Sequence, residues 1–366
     1  MATSNVQKNT SGSFLDRLFS SPLVRGFYNN EKPEIEFDLA GSNSERKRLT
    51  HLINSIAKNS PTGRKILETA SKEGYTLCFE NLGLTHGICN SHKKCITLNP
   101  RINDAKLMAT LTHESRHAGQ AVRLPQEFLK YDVATELRLH RAEEADAQAA
   151  AMQTVLEIRA ATGNEKPVEE LRKTDPKLFT GLSHSDDRKA SLETVMADSD
   201  KNMAAAFCGW FESDVTIRLY EHSYLGQHLN FVNENSDRYK NGFFEKWTMD
   251  RHLTSAEIVK NICTGEKDAP YITDLNIMNR PKMSRISEAT KQAADTFFSD
   301  RERLTGKAAD KSYVGTGKTS LQQTLTHMNK PSLQQALLNM NSADNTAART
   351  TDDRMLAQRL GDNRSR

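Results

Sequence analysis

The segment that most constrains the fold is Leu111-Thr112-His113-Glu114-Ser115-Arg116-His117, within the longer run DAKLMATLTHESRHAGQAV. Residues four apart lie one above the other on the same helix face. His113 and His117 can therefore share one metal ion, and Glu114 beside them can hold a water on it. This is HExxH, the zinc-peptidase signature. With 11 histidines in 366 residues, chance supplies on the order of 0.02 such matches, so the surroundings decide. Asn103 or Asp104 can cap a helix here, and Leu107, Met108, Leu111, Ala118 and Val122 recur at helical spacing, with Pro125 past the end. The competing reading is an exposed polar helix face that matches the motif by accident.

A second long helix is expected over 131–161. Its stripe of Val133, Leu137, His140, Glu144, Ala147, Ala151, Val155 and Ile158 has the spacing of a buried seam. A carboxylate in such a seam needs a partner to offset its desolvation, and a metal is one. Glu144 is therefore the expected third ligand, and the alanines around it let two helices approach closely. Two alternatives stay open. Glu144 can pair with Arg141 or Arg116 instead, and one residue of error in helix phase would exchange it for Glu143, Asp146 or His140.

Around these helices the chain predicts an α+β, mainly helical fold. Residues 34–40 read as a short strand or an extended lead-in, and SERKRLTHLINSIAKN as a helix with Leu49, Leu52, Ile53 and Ile56 on one stripe. Ser60-Pro61 supplies the cap and first position of a helix stopped at Gly74. Tyr75–Phe79 reads as a strand, and the stretch from GIC to ITLNP as a hairpin leading into the histidine helix. An edge strand of that small sheet can bind an extended peptide beside the metal. His86 and His92 read as turn residues. Residues 162–188, broken by Gly163, Pro167, Pro176 and Gly181, read as a surface crossover.

Helical spacing then returns, with Met203, Phe207, Trp210, Phe211, Ile217 and Leu219 as expected core. Among Tyr220, His222, Tyr224 and His228, packing or surface exposure outweighs a role as proton donor or oxyanion stabiliser. SAEIVKNIC and SEATKQAADTFF read as further helices. GTGKTS at 315–320 lacks the first glycine and the preceding strand of a phosphate loop, which argues against nucleotide binding. The expected organisation is a flexible arm over 1–33, a domain over 34–300 (core 45–161, helical extension 162–300), and a polar, disordered tail over 301–366. That tail carries 11 Lys or Arg against 6 Asp or Glu.

Lysine and arginine number 50 against 47 acidic residues, a net +3 that gives no electrostatic reason to expect nucleic acid as partner. No apolar window is long enough for a membrane span, and the first residues lack a signal-peptide layout, so the expected location is cytoplasmic, or exported without a Sec signal as a bacterial effector. Cys78, Cys89, Cys95, Cys208 and Cys263 are odd in number and scattered, as reduced thiols would be; Cys89 and Cys95 could face each other across the hairpin, but the absence of CxxC spacing argues against a disulfide or second metal site there.

SPTGRKILETA, GYTLCF, ITLNP, LTHESRHAGQ and RAEEADAQA together resemble an uncharacterised family of bacterial proteins classed as metallopeptidases, a domain-of-unknown-function group within the minimal gluzincins. The resemblance covers roughly 55–160 and extends more weakly through AFCGWFESDVTIRLYEH. It implies a zincin-like core of helix, small sheet, HExxH helix and glutamate helix. It also implies Zn2+ held by His113, His117 and Glu144, with Glu114 as catalytic base and a protein or peptide as substrate. It supplies a class and no particular substrate. Better-known gluzincins place an acidic residue four positions after the glutamate; Gln148 stands there, which leaves open what orients the histidines. The alternative is a non-catalytic interaction protein with a structural or degenerate metal site.

Overall fold

Most long helices of the computed structural model begin where a side chain can cap them. Ser42 and Glu45 form a reciprocal capping box at α1 (Asn43–Asn59). Ser60 accepts from Gly63 N–H at α2 (Pro61–Lys72), with Pro61 at the first helical position. Asn103 caps α3 (Asp104–Arg123) and Asp132 caps α4 (Val133–Thr162), which ends on left-handed Gly163. The structure describes residues 32–124, 129–182, 186–235, 248–265 and 268–306. Nearly all of the expected arm and tail, GTGKTS and Pro125 lie outside the described residues. The described elements belong to the unit Met1–Asn81 with His86–Tyr313. Of the other unit, Leu82–Thr85 with Val314–Arg366, only the turn Leu82–Thr85 is described.

The sheet contains β1 (Asp38–Leu39), β2 (Thr76–Phe79), β3 (Gly87–Asn90) and β4 (Cys95–Leu98), in the order β1-β2-β4-β3. β3 and β4 form the expected antiparallel hairpin, while β2 runs parallel to both β1 and β4. Leu77, Phe79, Ile96 and Leu98 alternate into a core shared with Leu49, Leu52, Ile53, Ile56, Leu107 and Leu111. Each such aliphatic side chain contributes about 1.5–3 kcal/mol by leaving water. Asn99 N–H donates to His86 C=O, which extends the β3–β4 ladder by one pair. In an antiparallel ladder the hydrogen-bonded pairs alternate, so Gly87 and Cys89 turn their backbone groups to the open side of β3.

Beyond α4 follow α5 (Lys166–Thr174), α6 (Leu192–Ala197), α7 (Ser199–Trp210) and α8 (Asp214–Glu221). A π-helical turn, His222–Gly226, joins α8 to α9 (Gln227–Asn235), and α10 (Ser255–Ile262), α11 (Pro281–Ser284) and α12 (Glu288–Thr305) complete the described helices. These elements pack Phe207, Trp210, Phe211, Ile258 and Met278 against α4. Among the described residues no helix is long and apolar enough to cross a membrane.

Several expectations need correction. Helix α4 buries not one seam but nearly its whole circumference, because the sheet-side core and the helical extension pack on it from different sides. Residues 162–188 are not merely a crossover; α5 and a short 3-10 turn bury Val168, Leu171, Leu178 and Phe179. Val122 and Leu219, at the ends of their stripes, are exposed. Cys89 opposes Ile96 rather than Cys95, whose sulfur lies 3.7 Å from Cys78 on the other neighbouring strand. Helix α12 runs on to Thr305, past the boundary expected at 300.

Candidate metal centre

Helix α3 buries Leu107, Leu111 and Ala118 in the sheet-side core, which leaves its histidines turned to α4. His113 Nε2 and His117 Nε2 stand 3.1 Å apart. Glu144 on α4 brings Oε2 to 3.4 Å from His113 Nε2 and Oε1 to 3.5 Å from His117 Nε2. Donors around a four-coordinate zinc, with bonds of about 2.0–2.2 Å, stand about 3.3–3.5 Å apart, so the three groups outline one face of such a site. Glu144 Oε2 and His113 Nδ1 are buried without a hydrogen-bond partner. A carboxylate oxygen left so is costly, and a cation among the three donors would satisfy it. The residues therefore fit a divalent metal. Among the described residues they are the one group of His, Cys, Asp or Glu close enough to share an ion.

The other third-ligand candidates have different partners. His140 sits between Glu136, at 3.1 Å, and Glu143, at 3.2 Å, and stacks on Tyr224. Burial alone would lower its pKa, but these carboxylates raise it to about 10. Asp146 is clamped by Arg116 Nε at 2.7 Å and Nη2 at 2.9 Å, and it accepts from Tyr271. Arg141 pairs with Glu221. Neither arginine is thus the partner of Glu144.

Of the two orienting groups, Gln120 is one the sequence did not single out. His117 Nδ1 lies 2.7 Å from Gln120 Oε1, and Gln120 Nε2 donates to Asp146 Oδ2 at 2.7 Å and to Glu143 C=O at 3.0 Å. An acidic group thus stands behind the histidine through an amide, two positions after Glu144 rather than four. Gln120 follows His117 by three residues on the same helix face, the spacing that would have revealed it. Tyr224, carried on the π turn, donates its hydroxyl to Glu144 Oε1 at 2.7 Å. Packing was the favoured reading for this tyrosine; the structure gives its hydroxyl a polar partner in the cluster. Tyr220 stacks on Tyr224. Burial would raise Glu144, yet the imidazoles of His117 and His113, with Tyr224, hold it down to about 2.

Glu114 is buried beside the cluster and accepts Cys89 N–H from the open side of β3; burial raises its pKa. The strand approaches α3 closely at Gly87, where a Cβ would stand 2.7 Å from Thr110 Cγ2 and 2.9 Å from Glu114 Cγ. His86 and His92 stand outside the metal-competent cluster.

Fold and cluster together define a mainly helical α+β protein whose HExxH helix and a neighbouring glutamate helix form a metal-competent site. The chain belongs to the Putative metallopeptidase family (DUF6782), whose model matches residues 31–264. No curated protein and no solved structure matches it.

Proposed function

We propose that the protein is a zinc-dependent peptidase that cleaves protein or peptide substrates, with a zincin-like core of the gluzincin kind. The observation that carries this reading is the His113–His117–Glu144 triangle with Glu114 buried alongside. Three protein donors suit a catalytic rather than a structural site, because structural zinc takes four. A bound zinc would supply a water acidified toward a pKa of about 7 and a Lewis acid for the scissile carbonyl.

The chain's own residues then divide the work. Glu114 takes the proton of the attacking water as the carbon–oxygen bond forms, and passes it to the amine nitrogen as the carbon–nitrogen bond breaks. Gln120 fixes the ring of His117, and Tyr224 fixes the carboxylate of Glu144. The outward backbone groups of Gly87 and the carbonyl of Cys89, whose N–H is taken by Glu114, would pair with an extended substrate strand beside Glu114.

Metal content and hydrolysis of a peptide library test the proposal together. Wild type should hold one zinc per chain and cut peptides. His113→Ala and Glu144→Ala should lose the metal, whereas Glu114→Gln should keep it and lose hydrolysis. Stoichiometric zinc without any cleavage would favour a non-catalytic interaction protein. Unchanged zinc in Glu144→Ala would move the third ligand elsewhere.

A further inference from the structure

Ser115, Gly119 and Arg123 recur every four residues on α3, forming a stripe roughly two-fifths of a turn around the helix from His113 and His117. This stripe, together with α2, the start of α7 and the segment after α10, lines a cavity of about 60 Å³. At about 10–15 Å³ per water-sized position, that is room for roughly five waters or one small polyatomic ion.

Three polar groups of its wall have no partner. Ser115 Oγ, Ser199 Oγ and Arg123 Nη2 are buried atoms without a hydrogen bond, and Ser115 and Ser199 are 0% and 3% exposed as residues. Leaving such donors unmatched costs about 1–3 kcal/mol each. Two serine hydroxyls and a guanidinium gathered at one cavity point to a ligand that accepts from several sides.

The charges indicate its sign. Lys65 at the rim pairs with Asp268 at 2.9 Å, and Arg116 in the wall is neutralised by Asp146. Arg123 keeps only a bond from Nε to Asn261 C=O, at 2.6 Å, and no carboxylate lies within ion-pair distance of it among the described residues. Among the residues lining the cavity one positive charge is therefore left over; the Asp200 carboxylate stands outside that lining, against Gly265. A planar carboxylate offers two oxygens in one plane, whereas a phosphate presents oxygens in several directions, which suits donors carried on two different helices, α3 and α7. Ser199 is also the first residue of the twelve-residue α7, whose N-cap Asp198 makes no capping bond, and that end of a helix favours an anion.

We propose that this cavity is a binding site for a phosphate group, held by Arg123 Nη2 and the hydroxyls of Ser115 and Ser199. The site is separate from the metal cluster, and the proposal does not depend on the protein being a peptidase.

The test is calorimetric titration of inorganic phosphate into the full-length protein in an oxyanion-free buffer, repeated with glycerol phosphate to distinguish a phosphate ester from the free ion. Saturable binding of either, weakened about tenfold or more by Arg123→Met and by Ser199→Ala, is expected. Because Arg123 also holds Asn261, the serine variant, which loses a single hydroxyl, guards against a folding defect. Binding that Ser199→Ala leaves unchanged, or no saturable binding of either probe up to about 10 mM, would overturn the proposal.

Discussion

Tyr224 donates its hydroxyl to Oε1 of Glu144 at 2.7 Å from a π-helical turn between two ordinary helices. A π turn adds a residue to the helical cycle and redirects the side chains that follow, and such turns recur at functional sites. Removing the hydroxyl with Tyr224→Phe keeps the ring's stacking on His140 and Tyr220 but frees the carboxylate. Metal affinity should fall about 10–100-fold with the fold intact, read by competition with a coloured chelator. An unchanged affinity would show that the hydroxyl does not orient Glu144.

Gly87 marks the closest approach of β3 to the histidine helix. Gly87→Ala would push a methyl against Thr110 and Glu114, at a cost of about 1–3 kcal/mol, and would shift the strand away from Glu114. Both the thermal midpoint and peptide cleavage should drop. Full activity in this variant would detach β3 from the reaction.

His140 is held as an imidazolium between Glu136 and Glu143, at about 10. A raised histidine contributes stability that is fully present below its unfolded value, about 6.5, and is lost as the pH climbs through about 10. His140→Gln should therefore lower the thermal midpoint clearly near pH 6 and only slightly above about pH 10. A penalty equal at both ends would assign the role of His140 to its packing on Tyr224 rather than to its charge.

Metal removal offers a measurement that needs no substrate. A ligand present at about a thousand times its dissociation constant stabilises a fold by about 4 kcal/mol. Chelation should lower the melting temperature, and added zinc should restore it. The His113→Ala variant should melt at the same temperature with and without zinc.

Much of the cluster was legible because its spacing is local. His113 and His117 are paired by the helical repeat alone. Glu144 was harder, because four polar residues within two turns compete for a single direction; its place in the stripe favoured it, and α4 sends Glu143, Asp146 and His140 to other partners. Of the support behind the cluster, only the local spacing of Gln120 from His117 was there to be read. Gln120 meets Asp146, and Asp146 meets Tyr271, across long sequence separations that no periodicity encodes. The same holds for the parallel pairing of β2 with β4. Val122 and Leu219 show the opposite failure, since a stripe read from spacing carries no sign of where the neighbouring element stops.

Burial of α4 on nearly every side reaches past the family's matched span. Its Arg141, 1% exposed, is held by the carbonyl oxygens of Met283 and Arg285, and Phe297 and Phe298 lie in the interior further along the chain. A fragment trimmed at residue 264 would strand that guanidinium half-solvated beside Glu221. A piece expected to stand alone therefore extends to α12, past the span matched by kinship.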